Sequence, residues 1–189
     1  MPMKLLKNRK IAILITVVLV VAASLFAVGR SLNRLAREVE AMFYDGVYLE
    51  DEGYTQPGIE AHLERRWNSS LGFAVLMEVF PEAENEARAL LSARNTLLSA
   101  KGISDKFAAN EAMQRAYAEL SAVADRLELS EQDKADIADY SSSFYGAQTA
   151  ILGSRYNHMA EAFMKDASFF AHLLRPFAFV SPPQRFAPP

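Results

Sequence analysis

Hydrophobic and polar positions divide this chain into one uninterrupted apolar run and a long stretch of helical periodicity. The run spans residues 11–28, IAILITVVLVVAASLFAV, and no charged residue interrupts it. Eighteen helical residues rise about 27 Å, close to the hydrocarbon thickness of a bilayer. Thr16 and Ser24 can bond their own helix backbone. The pattern predicts a transmembrane helix at 11–29 behind a short basic segment at 1–10. The same helix is expected to continue through Leu32, Leu35, Val39 and Met42 to Phe43. Residues 44–58 read as a loop, with Asp45-Gly46 and Pro57-Gly58 as turn signals.

Past that loop the spacing is helical, and the Val/Ile/Thr alternation of strands is absent. A second helix is expected to start near Thr55–Pro57, because proline suits a first helical position. It carries Ile59, Leu63, Trp67, Leu71 and Val75 at four-residue steps. Pro81 ends or kinks it. A third stretch, residues 82–101, sets Ala87, Leu90, Leu91, Leu97 and Leu98 on one face, with Gly102 as a C-cap. Ser104 is an N-cap for the next helix, with Asp105 favourable in its first turn. There Met113, Tyr117, Leu120, Ala124 and Leu127 step 4-3-4-3, a seam of heptad type.

Ser130 opens the last long helix, and Asp133 completes a sequence like a capping box. That helix is expected to run on to Phe163 with two apolar faces. One is Ile137, Tyr140, Phe144, Ala147 and Ile151; the other is Tyr145, Leu152, Tyr156, Met159 and Phe163. A helix apolar on two sides packs against several neighbours. The whole reads as all-α: an N-terminal transmembrane helix plus an antiparallel four-helix-type bundle over 30–180, then a proline-rich tail, 181–189.

Charge adds an orientation. Lys4, Lys7, Arg9 and Lys10 precede the run, and Arg30, Arg34 and Arg37 follow it. The basic flank favours a cytoplasmic N-terminus, with the bulk of the chain outside the cell membrane. A cleavable signal peptide is the rival. Its apolar core is about 7–15 residues and a small-residue cleavage site follows. Here the run is longer and Phe26-Ala27-Val28-Gly29 is a poor cleavage site, so an uncleaved anchor is favoured. The chain carries a net −3, but residues 1–37 hold seven basic residues and no acid; residues 38–189 hold 13 basic against 23 acidic residues, a net −10. An acidic body disfavours nucleic acid, whose phosphates need Lys/Arg patches. With no cysteine, a lipoprotein anchor, disulfides and thiolate metal sites are impossible.

Candidate chemistry is sparse. A di-metal carboxylate bundle needs paired Glu-x-x-His elements. His62, His158 and His172 supply none, and His158-Met159-Ala160-Glu161 is the reverse order. There is no Gly-x-Ser-x-Gly, and Gly153-Ser154 reads as mid-helix, with the serine bonding back to the preceding turn. No glycine-rich phosphate loop follows a strand. The expectation is therefore no catalytic residue, no cofactor, no metal and no enzyme activity. Trp67 reads as core, and the acidic residues around 82–86 and 133–139 as solvated faces. Asn157 has poor propensity for a helix interior. It needs either a buried interhelical hydrogen bond or a recognition role. Asn68 invites the same argument, and the two could face each other across the bundle.

Several short elements together resemble the LemA family of bacterial single-span membrane proteins. They are the anchor followed by a loop; Arg65/Arg66 to Asn68; Glu86 and Ala93-Arg94; and Tyr156-Asn157. The closest stretch, 156–186, contains YNHMAEAF, FF-x-x-LL and an aromatic segment ending SPPQRF. The chain departs where the family typically has a second Asn (here Met164), a Phe-Pro (Phe169-Phe170) and an Asn-Leu (Asn68-Ser69). The resemblance implies a helical bundle outside a bacterial membrane and no agreed enzyme activity. Asn68, Arg94, Tyr156 and Asn157 become candidate structural or recognition residues. The expected function is an envelope scaffold or protein-interaction module, whose partners are the lipid bilayer and an envelope protein. The alternative is an extracytoplasmic ligand-binding bundle of the sensor type, which a deep pocket lined by polar residues from facing helices would favour. The apolar stretch 169–180 is expected near the membrane, provided Pro81 kinks one helix and does not reverse the chain.

Overall fold

In the computed structural model, residues 9–165 and 181–187 are described. The apolar run and the turns after it form one unbroken helix, α1 (Arg9–Asp45), of 37 residues, about 55 Å long. Its most apolar 18-residue window is entirely unburied, with Leu14, Leu19 and Phe26 exposed. Beyond the run, one stripe turns inward: Gly29, Ala36, Val39 and Phe43 are buried. Leu35, expected on that stripe, is exposed instead. The buried face is centred one residue on, between Asn33 and Glu40, whose side chains hold residues 181–184 there. The small Ala36 leaves room for that approach. Gly46 ends the helix at φ +89°, its N–H bonded to the Met42 carbonyl. A Cβ at Gly46 would sit 2.2 Å from the Gln56 carbonyl oxygen, so only glycine fits.

Residues 44–58 are not a plain loop. β1 (Val47–Leu49) pairs antiparallel with β2 (Tyr54–Gln56), Val47 opposite Gln56 and Leu49 opposite Tyr54. Strands of three residues are too short for period-two alternation to register.

Four helices then build the bundle: α2 (Ile59–Met77), α3 (Glu84–Ser99), α4 (Ile103–Ala124) and α5 (Glu131–Leu152). α2 packs on α3 and α5, and α3 packs on α4; the backbones of α4 and α5 stand further apart. Gly72 marks the tight α2–α5 crossing, where an added Cβ would lie 2.4 Å from the Tyr140 ring. α2 begins at Ile59 after an extended Gly58, not at Pro57. Its buried stripe is Ile59, Leu63, Arg66, Ser70, Phe73 and Met77, while Leu71 and Val75 face out. A strict four-residue step turns 40° per step around a 100° helix, so the expected stripe drifted off the core.

Pro81 reverses the chain. It opens a short 3-10 turn, Pro81–Ala83, after which α3 lies antiparallel on α2, with Arg94 Nε donating to the Trp67 carbonyl at 2.9 Å. The kink that the membrane placement of 169–180 required is therefore absent, and that stretch lies outside the described residues. On α3, Ala87, Leu90 and Leu97 are buried, but Leu98 is exposed, again one step past the core face. Gly102 is not the C-cap of α3, which is Ala100; Gly102 is the extended N-cap of α4. Ser104 lies inside α4, and its N–H is capped by the Gln184 side chain at 3.2 Å.

The heptad seam of α4 is buried at Met113, Tyr117, Leu120 and Ala124. On α5, Phe144, Ala147 and Ile151 face the core. Ser130 Oγ caps α5, accepting from the Asp133 N–H at 3.1 Å. The helix does not continue to Phe163. It ends at Leu152, and α6 (155–165) starts anew, with Ser154 Oγ accepting from the Tyr156 N–H at 3.3 Å. The second apolar face thus belonged largely to another helix. Tyr156 and Ala160 are buried on α6, whereas Tyr145 and Leu152 on α5 are exposed.

Candidate functional site

The 4-3 stepping of α2 carries a cation into the bundle centre. Arg66 is fully buried. Its Nη1 donates to Asn110 Oδ1 and Gln148 Oε1, and its Nη2 donates to Gln114 Oε1. The guanidinium carbon lies 4.0 Å from the centre of the Phe144 ring. Three helices therefore converge on one charge: α2 supplies it, and α4 and α5 surround it. All three acceptors are neutral amides. Glu111 favours the charged form from a distance, but burial dominates and lowers the guanidinium to about 10. Among the described residues Arg66 makes no ion pair. Its Nε and the Nδ2 of Asn110 are buried donors without an acceptor. A buried donor left unpaired costs about 1–3 kcal/mol.

Around this cluster the core is aromatic and polar by turns. Tyr117 stacks on Phe144 with centroids 3.9 Å apart; its hydroxyl and Ser141 Oγ share a 3.2 Å hydrogen bond. Burial raises the Tyr117 phenol to about 12. On α4, one turn before Asn110, Lys106 pairs with Glu60. Lys106 Nζ also lies 5.5 Å from the Tyr44 ring centre. His62 is buried with Nδ1 unpartnered.

A second constellation stands where α1 meets the bundle. Residues 181–186 run alongside α1 in the same direction, with the Ser181 N–H on Asn33 Oδ1 and the Gln184 N–H on Glu40 Oε1, each at 3.1 Å. Seven helical residues and three extended ones cover a similar length, about 10 Å, and Pro182 and Pro183 suit that extended form. Asn157 closes the clasp. Its Nδ2 donates to the Phe186 carbonyl at 2.8 Å, and its Oδ1 accepts the Phe186 N–H at 2.9 Å. One side chain thus pairs both backbone groups, as a neighbouring strand would. The buried Tyr156 hydroxyl donates to the Gln184 carbonyl. Phe186 is buried, with Phe43 and Phe107 rings at 5.7 and 5.3 Å.

Of the residues singled out in the sequence, Tyr156 and Asn157 come together in this clasp. Asn68 is exposed on α2, and its amide and that of Asn157 do not meet. Arg94 joins α3 to the α2 backbone. Trp67 is half-buried. No group of three or more His, Asp or Glu able to hold a metal occurs among the described residues; His158 is exposed and His172 lies outside them. Arg66 entered the sequence reading only as part of a family element, and Asn110, Gln114 and Gln148 did not enter it. A signal existed: extending the α4 seam backwards by 3 and 4 lands on Asn110 and Lys106, both buried. The chain matches no family model, no curated protein and no solved structure.

Proposed function

We propose that this chain is a membrane-anchored, LemA-like helical-bundle protein that serves as an envelope scaffold or protein-interaction module, with its bundle on the extracytoplasmic side of the cell membrane. The observation that carries this reading is the continuity of α1. The same helix has a wholly unburied apolar stretch and, two turns further on, a stripe packed into the bundle through Ala36, Val39 and Phe43. A bundle fixed to a bilayer in this way has a defined distance and tilt, which suits presentation of a surface to an envelope partner. The resemblance in residues 65–68, 93–94 and 156–157 and the acidic body support the same assignment. Protease added to intact spheroplasts is expected to digest the chain down to its anchor. Full protection of residues 60–170 would overturn the orientation. Crosslinking in native membranes followed by pull-down is expected to recover an envelope protein.

A second reading, an extracytoplasmic ligand-binding bundle, is favoured by one observation: polar side chains from three helices converge on the buried Arg66.

A further inference from the structure

The Arg66 cluster holds one positive charge, acceptors that are all uncharged, and two buried N–H donors, Arg66 Nε and Asn110 Nδ2, with no acceptor. A cation in a low-dielectric interior is costly unless charge and hydrogen bonds compensate it. What the cluster lacks is an acceptor with a negative charge.

The guanidinium edge indicates which one. Nε and Nη2 form the edge that a carboxylate engages with two parallel hydrogen bonds. Here Nε has no acceptor, and Nη2 donates to Gln114 Oε1. Gln114 is half-buried on α4, and Gln148 is half-buried on α5. Both amides now turn their oxygens to the cation. Rotating either by 180° would present an NH₂ donor to an incoming anion, because a glutamine amide has both groups. Two open grooves, of about 490 Å³ on α3 and about 570 Å³ between α3 and α4, are lined by neither Arg66 nor its partners.

We propose that Arg66, Asn110, Gln114 and Gln148 form a binding site for a small carboxylate, held by the Nε–Nη2 edge of Arg66. This deepens the ligand-binding reading and names its ligand class. It does not depend on which side of the membrane the bundle occupies, so protease topology and ligand response fail independently.

The test is thermal unfolding of the full chain in detergent micelles, with sodium acetate against sodium chloride at equal ionic strength. Acetate is expected to raise the melting temperature saturably, by about 5–10 °C at a hundredfold excess over its Kd; chloride is not. Gln114→Glu places a tethered carboxylate at the same edge with little change of shape. It is expected to melt higher than the parent without acetate and to show no acetate response. Equal effects of acetate and chloride on the parent chain would overturn the proposal. So would an undiminished acetate response in Gln114→Glu. Arg66→Met, whether it melts higher or lower, is expected to lose the acetate response; a retained response would also overturn it.

Discussion

At the residue scale, Asn157 and His62 give sharp expectations. Asn157 satisfies both backbone groups of Phe186, so Asn157→Ala is expected to cost about 1–3 kcal/mol in thermal melts of the full chain. Asn157→Asp retains the acceptor and loses the donor, and should fall between. The same residue was legible in the sequence as a helix-interior asparagine needing a buried partner or a recognition role, and as part of a Tyr156-Asn157 family element. Its partner is a backbone segment 29 residues away in sequence, which no local pattern announces. His62 is held below the ordinary imidazole value of 6.5 by burial and then by Arg65. Above 6.5 both folded and unfolded chains carry it neutral, and stability is at its full level. As pH falls through 6.5 the unfolded chain takes the proton first, and stability drops until the folded imidazole protonates too. The melting temperature is therefore expected to fall as pH drops from about 7 through 6.5, and His62→Gln should flatten that slope.

At the element scale, the heptad of α4 is the most secure feature. Leu120 is fully buried, so Leu120→Ala should cost about 2–5 kcal/mol, read as a lower melting temperature. The cap at Ser130 is exposed and local; Ser130→Ala should cost about 1 kcal/mol. Both were readable because a 4-3 step and an N-cap serine are signals carried by neighbouring residues. The break between α5 and α6 was not. Glycine and serine are tolerated inside helices, so Gly153-Ser154 gives only a weak stop. What decides the break is distant: Gln56 Oε1 takes the Arg155 N–H at 3.1 Å, and Gln56 Nε2 reaches the Gly153 carbonyl at 3.4 Å. Arg66 was missed for a related reason. A stripe of large apolar residues at four-residue steps looked continuous through Trp67 and Leu71. The true core line passed through a charge and a serine.

At the scale of the whole molecule, the all-α architecture and the helix long and apolar enough to cross a membrane followed from periodicity alone. How α1 is joined to the bundle did not, because it rests on residues 181–186. That attachment has a consequence for how the molecule is made. Asn33 and Ser181 are 148 positions apart, whereas α2 with α3, and α3 with α4, pack as sequence neighbours. Short-range helical hairpins close quickly, and contacts between distant segments close late. On the ribosome the bundle core can therefore assemble while the last residues are still being added, and α1 becomes locked to it only after Phe186 has emerged. In the finished protein the order of opening should be the reverse. The amides of Ser181, Gln184, Phe186 and Ser104 are expected to exchange with deuterium together, and before those of α4 around Leu120. Exchange of the two groups at the same rate would show that the lock and the core open as one cooperative unit.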